Sequence, residues 1–563
     1  MSAQMTMRNA GCLLAAACGA VCLTSAGSAS GGKVAYMLDE ASAVPGMVLT
    51  TDYDGPLPAA KPKRDVIPQM DGWPQHMGVG PYFSPSRGLI FVDLDGDGKL
   101  EILTSSTDKK IYCWDYTGAP MPGFPVSTIE APQYPPSAAD MDGDGDIEIV
   151  QFTRGLTSGG RLYALDHTGT VLPGFPMNIN NNNISSTPTL YDLDDDGVME
   201  IIVPERAYPI GYLHIVELDA TEWGGGWPVA LDHVPACTAA VGDVNNDGAV
   251  EIVYLSYDSI YVLDLVGKPL PGWPKQIPNA NFSYQSPALA DLDFDGDLEI
   301  VVGAHKDAAG CYVFHHDGTG YPGWPKYYGT WSYCAPTVTD FEDDGKLEIL
   351  AGRAGYVSYP SDCFWAWTSS GSVKPGFPYH RPDGGGSEGP ITVADINGDG
   401  TMEIFADYNK AGPGDSASDG DSYGYLFGVD MFGKDLPGFP LRPKGFTYMN
   451  GATIGDVDGD GDYELGVQSY DDYGVDVNLY DLPDMMAPPS RDWKIYHGCN
   501  IRGGRYPTAP PCPADITGDG VVDVLDLLEV LAQWGGSGSA DITGDGVVDV
   551  LDLLEVLAAW GPC

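Results

Sequence analysis

The chain has 563 residues in which 28 Lys and Arg face 79 Asp and Glu, for a formal net charge of -51; such a balance argues against electrostatic nucleic-acid binding and makes cations its natural partners. With 43% hydrophobic and 11% aromatic residues the sequence buries a large core and is not disordered by composition, and its 74 Gly and 46 Pro imply many turns. The length allows roughly three or four ordinary domains, or fewer if one array of repeats takes most of it.

At the N-terminus Arg8 is the one charge before an apolar stretch from Ala10 to Leu23, followed by the small residues Ala26, Ser28 and Ala29. This order reads as a signal peptide over residues 1–29, with the mature chain secreted to the outside or the cell surface. No later run reaches the about 18 apolar residues that a membrane span requires. Removal of Cys12, Cys18 and Cys22 with the signal leaves eight cysteines, an even number that suits pairing in an oxidising compartment. Residues 30–69 read as an extension or linker.

From residue 93 to 464 the pattern Asp-x-(Asp/Asn)-x-Asp-Gly-x-x-Glu recurs eight times. The first copies place their acids at Asp93, Asp95, Asp97 and Glu101, then at Asp140, Asp142, Asp144 and Glu148, and at Asp192, Asp194, Asp196 and Glu200. The fourth has Asp243, Asn245, Asp247 and Glu251, and the fifth Asp291, Asp293, Asp295 and Glu299. The sixth departs with Asp340, Glu342, Asp344 and Glu348, the longer Glu at the third position crowding an ion. The last two use Asp395, Asn397, Asp399 and Glu403, and Asp456, Asp458, Asp460 and Glu464. Calcium is a hard ion that takes six to eight oxygens, and a tight loop can offer them from positions 1, 3, 5 and 9 and from the carbonyl of position 7. Gly at position 6 permits the sharp turn.

Apolar or Thr-rich runs flank each loop, as Pro287 to Ala290 and Ile300 to Val302 do in the fifth copy, and predict two strands joined by the loop. A third strand with an aromatic follows, for example Ile111 to Trp114, and then a corner of Pro-Gly-aromatic-Pro type. The eight corner aromatics are Trp73, Phe124, Phe175, Trp227, Trp273, Trp324, Phe377 and Phe439, whose regular recurrence suits blade packing better than sugar stacking. Units of roughly 47 to 61 residues with about four strands each predict an all-β fold, an eight-bladed β-propeller with seven blades as the alternative. Because Trp73 precedes the first loop and a strand near Val475 to Tyr480 follows the last, the two ends are expected to share one blade.

These loops and their flanking strands, over residues 70–498, resemble FG-GAP or VCBS repeats, the units found in integrin alpha subunits and many secreted bacterial proteins. The resemblance implies calcium in the loops on one face, where it mainly stiffens the propeller, and adhesion through other surfaces.

A Pro-rich linker over 499–512 leads to a module at 513–563, in which the 19 residues from Ala514 to Ala532 repeat without change from Ala540 to Ala558. Asp515, Thr517, Asp519, Asp523 and Asp526 occupy EF-hand ligand positions, as do Asp541, Thr543, Asp545, Asp549 and Asp552 in the second copy; Asp stands where the bidentate Glu would be and predicts looser binding. Leu527, Leu528, Leu531 and Trp534, matched by Leu553, Leu554, Leu557 and Trp560, predict the apolar face of one short helix per copy. The layout resembles a type I dockerin, an all-α module of paired EF-hand-type loops, and implies a cohesin-type partner. Cys512 and Cys563 bracket it and suit a disulfide clasp. In all, about ten calcium ions are expected, and 38 of the 79 acids stand at ligand positions, so the charge is concentrated where metal would sit.

Two functions are consistent with this reading. One is a secreted binding or adhesion protein, its propeller facing a polysaccharide or cell-surface protein and its tail docked on a scaffold. The other is an extracellular polysaccharide-active enzyme, a calcium-dependent lyase on a propeller. The sequence has no Gly-x-Ser-x-Gly elbow, His-Glu-x-x-His motif or Walker loop, and no catalytic residue is nominated.

Overall fold

The computed structural model describes residues 67–486 apart from short loop stretches, the strand pair Lys33–Tyr36 and Leu49–Asp52, and scattered positions after residue 520. The expected signal peptide and most of the 30–69 extension lie outside the described residues.

Eight antiparallel sheets follow one another along the chain. The first is made of Ile90–Val92, Glu101–Ser106, Lys110–Trp114 and Val126–Ser127, in that spatial order. The short first strand of each sheet lies next to its counterparts in the neighbouring sheets and is therefore innermost, as between Ala240–Gly242 and Ala288–Ala290. Chain order thus runs from the axis outward, and the fold is an eight-bladed propeller. The second strand is buried along its whole length, as in Glu299–Ala304, because a blade is covered on both faces by its neighbours. That explains unbroken runs such as Ile300-Val301-Val302 where a half-exposed strand would alternate.

The ring closes as expected. Gln75–Met77, from the start of the propeller, pairs with Val475–Met486 and completes the sheet begun by Thr453–Gly455 and Asp462–Tyr470. Side-chain hydroxyls at the start of the innermost strands link blade to blade. Ser137 donates to the Pro188 carbonyl (2.7 Å), Thr189 to Ala239 (3.0 Å) and Thr337 to Ile391 (2.7 Å), and Thr453 reaches Leu89 (2.8 Å) across the closure.

The corner aromatics pack between blades. Trp73 donates its indole N–H to the Tyr116 carbonyl, Trp227 to Leu265, Trp273 to His316 and Trp324 to Ser369, each in the next blade. The glycine before each aromatic makes the approach possible. At Gly272 φ is +93°, and a Cβ would lie 2.0 Å from the Asp317 carbonyl oxygen.

The expected cysteine pairing is corrected for five of the eight: Cys113, Cys237, Cys311, Cys334 and Cys363 are buried thiols, set in the blades as small apolar side chains. Cys499, Cys512 and Cys563, with the suspected clasp, lie outside the described residues.

Residues Pro507–Cys563 form a separate compact unit. The all-α module expected there is not what its described residues show. Their regular pairing is a two-stranded sheet, Val521–Val522 against Gly561–Pro562, beside helical backbone at positions that include Leu527, Leu528, Val530 and Leu531. The expected apolar face is also rotated. Val530, Val548 and Val556 are fully buried, whereas Leu528, Leu531 and Trp534 are about half exposed (53, 52 and 49%). All ten expected tail ligands lie outside the described residues.

The corners supply a test. Gly272→Ala should cost about 2 kcal/mol or more, from a left-handed backbone together with the clash against Asp317. Gly98→Ala, also at positive φ but with nothing within 4 Å, should cost only about 1 kcal/mol. Denaturant unfolding of the two variants measures the difference, and equal losses would refute the packing role of the corner.

Candidate metal centres

Each of the eight loops connects the innermost strand to the second strand of its blade, so all lie on one face of the propeller. Their geometry repeats closely. The position 1 aspartate accepts the N–H of the position 6 glycine, as Asp93 does from Gly98 (3.0 Å), Asp243 from Gly248 (2.8 Å) and Asp395 from Gly400 (2.8 Å). The position 9 glutamate is buried, and one of its oxygens accepts the N–H of position 2. Leu94 donates to Glu101 (2.7 Å), Met141 to Glu148 (2.9 Å), Leu193 to Glu200 (2.8 Å) and Val244 to Glu251 (3.0 Å). Leu292 and Glu299, Phe341 and Glu348, Ile396 and Glu403, and Val457 and Glu464 repeat the bond.

Sequence reasoning passed over the residues at positions 2 and 8. The position 2 side chains Leu94, Met141, Leu193, Val244, Leu292, Phe341, Ile396 and Val457 are all buried and anchor the loops in the core. Position 8 ties adjacent loops together through the backbone. Leu100 N–H meets the Val457 carbonyl (3.0 Å), Met199 meets Met141 (2.8 Å), Leu298 meets Val244 (3.0 Å) and Met402 meets Phe341 (3.0 Å). The unbroken apolar character of both positions in the sequence is the clue that reveals them.

The acids converge as the spacing predicts. Ligand atoms of Asp93, Asp95 and Glu101 lie within 4.8 Å of one another, as do those of Asp140, Asp142 and Glu148, and of Asp192, Asp194 and Glu200. In the fifth loop Asp291, Asp293 and Asp295 form one such group, and Asp293, Glu299 and His315 another. His315, which the sequence did not nominate, sets its Nδ1 3.0 Å from Glu299 Oε1. Buried Oδ1 atoms of Asp140 and Asp291 have no hydrogen-bond partner. In these loops a hard cation fits: carboxylate oxygens converge beyond those held by backbone N–H groups, and the buried Oδ1 atoms of Asp140 and Asp291 are left for it. Asn245 and Asn397 instead turn their amide N–H toward Glu251 (3.3 Å) and Glu403 (2.9 Å).

The sixth loop does not fit. There Lys374 Nζ lies 2.5 Å from Glu342 Oε1 and 3.0 Å from Glu348 Oε1, and Lys346 Nζ lies 2.5 Å from Asp344 Oδ2.

Burial, followed by the surrounding aspartates, drives the position 9 carboxyls upward against the opposing pull of the backbone N–H. Glu101, Glu148, Glu251 and Glu348 rise to about 7, and Glu200, Glu299, Glu403 and Glu464 to about 8. At Glu348 the neighbouring Lys374 works in the opposite direction.

Residues 93–151, 243–302 and 340–406 match the family described as FG-GAP-like repeat. No curated protein matches the chain. Among solved structures, the V. cholerae biofilm matrix protein Bap1 is similar at 14% identity and a TM-score of 0.47, over 76% of this chain and 94% of that one. The BP39L lectin from Burkholderia pseudomallei is similar at 10% identity and a TM-score of 0.41, over 64% and 100%. BBS1N in complex with ARL6DN gives 13% identity and a TM-score of 0.40, over 76% and 99%. At these identities and scores none assigns a function. The chain is an eight-bladed β-propeller with FG-GAP-like repeats, and among its described residues no helix is long and apolar enough to cross a membrane.

With cations removed, the raised carboxyls set a pH dependence. Each holds a proton in the folded state that it loses in the unfolded chain above the ordinary value of 4.5, so its stabilising contribution is full below that value. The contribution fades as pH climbs through about 7 to 8. In chelator the propeller should therefore melt higher at pH 5.5 than at pH 8.5. A Tm that rises with pH in chelator would contradict these sites.

Proposed function

We propose that this chain is a secreted binding module whose propeller is stiffened by calcium on one face and engages a polysaccharide or cell-surface protein with the other. The observation that carries it is the ring of loops, all built on a buried glutamate and with acids converging in the first, second, third and fifth. Calcium matches the oxygen donor sets of the loops, to which the fifth adds an imidazole, since hard cations take carboxylate and carbonyl oxygens. Such loops supply rigidity and leave the opposite face to recognition.

That opposite face is made of the turns between second and third strands and the connectors between blades. It bears a row of rings across neighbouring blades. His233 lies 4.9 Å from Tyr257 between ring centroids, Tyr257 lies 6.0 Å from His305, and His305 lies 6.1 Å from Tyr333. Of these, His233 and Tyr257 are half-buried and offer ring surface for sugar or protein, with His305 and Tyr333 buried beside them. The C-terminal unit is the docking element of this reading. Its exposed Leu528, Leu531, Trp534 and Val550 support a cohesin-type partner or cell-surface scaffold.

Retention of the mature chain on a panel of polysaccharides and glycans, with product release scored in the same wells, tests the propeller. Retention without release is expected, and Tyr257→Ala should weaken it at least tenfold while leaving Tm unchanged. Turnover in place of retention would replace the binding reading with a lyase. Millimolar calcium should raise the propeller Tm at pH 7.5 without changing its β circular dichroism, because burial between blades holds the loops even in chelator. A Tm indifferent to calcium would remove the cation from the proposal.

A further inference from the structure

In the corner that follows the third strand of every blade, one residue donates its backbone N–H to that strand. Met70 bonds to Leu479, Met121 to Cys113, Leu172 to Ala164, Trp223 to Ile215, Leu270 to Val262, Tyr321 to Val313, Lys374 to Ala366 and Leu436 to Gly428, all at 2.9 to 3.0 Å. The shared bond makes these eight positions equivalent. Seven are apolar or aromatic, and only the sixth blade has a charge.

The same blade is the only one whose third loop position is Glu rather than Asp or Asn. The two departures meet. The Lys374 side chain is 10% exposed, with its ammonium between the carboxylates of Glu342 and Glu348 and 5.7 Å from the centre of the Phe341 ring. Glu342 has the extra methylene needed to reach an ammonium arriving from the corner. Asp344, at position 5, is engaged by Lys346. Two of the four ligand acids are thus already paired with a largely buried ammonium, and a third with an exposed one.

We propose that Lys374 is an internal substitute for the metal ion in the sixth loop, so that the acids of this loop are neutralised without calcium while those of its neighbours are left to the ion. An ammonium supplies one positive charge and three N–H donors to oxygens that would otherwise surround a divalent ion, and being covalently attached it cannot be chelated away. Calcium entry would require displacing a largely buried ion pair, leaving the ammonium unpaired. The inference rests on the calcium reading of the other loops.

The test counts calcium bound per full-length chain by equilibrium dialysis, alongside melting in chelator and in calcium. Asp395→Ala should lower the count by one, and Asp340→Ala should leave it unchanged. Lys374→Met, which installs the residue found at the same place in two other blades, should raise the count by one. In chelator Lys374→Met should lower the Tm, and millimolar calcium should restore it. A count that falls with Asp340→Ala, or that Lys374→Met leaves unchanged while Asp395→Ala lowers it, overturns the proposal. If no variant or parent binds calcium, the calcium reading itself fails. The lysine is then judged in chelator alone, where an unchanged Tm for Lys374→Met overturns its role.

Discussion

The structure depends on holding aspartates and a buried glutamate close together in loops repeated around one ring, with carboxylate groups converging within 4.8 Å in the first, second, third and fifth. Like charges at such distances repel, and the protein meets this with fixed N–H donors before any cation is considered. The position 9 glutamate takes the N–H of position 2, and the position 1 aspartate takes that of the glycine. The first bond joins the last ligand to the start of the loop. The loop is therefore preformed, and a cation entering it has little backbone to order.

Preformation spreads because the loops are bonded to one another. Backbone contacts such as Leu298 to Val244 join them on the loop face, and hydroxyl contacts such as Thr189 to Ala239 join the opposite ends of the innermost strands. The indole bonds of Trp73, Trp227, Trp273 and Trp324 repeat the link farther out. The same kinds of contact cross the closure, where Leu100 meets Val457 and Thr453 meets Leu89. The two ends of the propeller segment therefore meet in a blade that differs from the rest only in taking one strand from the other end of the chain.

Fixed spacing made much of this readable. A nine-residue loop with Gly at its turn and a corner with Gly before an aromatic each require one residue type at one place, so blade number, closure and the convergence of the loop acids follow from counting. What escaped was of two kinds. Apolar positions 2 and 8 vary among Leu, Ile, Val, Met, Phe and Tyr, and burial tolerates such exchange, so they do not register as a motif. Lys374 and His315 lie far along the chain from the loops they enter, and only the return of the third strand brings them to Glu348 and Glu299. The cysteines misled for another reason. Their even number suggested pairing, whereas the strand positions of Cys113, Cys311 and Cys363 use them as buried apolar side chains.

The eight loops are not equivalent, and the differences follow their donors. Those with four carboxylates concentrate the most negative charge, the two with Asn carry one charge fewer, the fifth adds an imidazole, and the sixth supplies its own ammonium. Affinity for a hard divalent ion rises with charge count and falls when an internal cation competes, so under the proposed reading the ring would fill over a range of concentrations and not at one threshold. A propeller whose blades share backbone bonds can accept such uneven filling, since an empty loop is still held by its two neighbours. The sixth blade would take this furthest: with Lys374 between Glu342 and Glu348, its loop would need no ion, and the strands on either side would have one blade against which to pack whatever the filling of the rest.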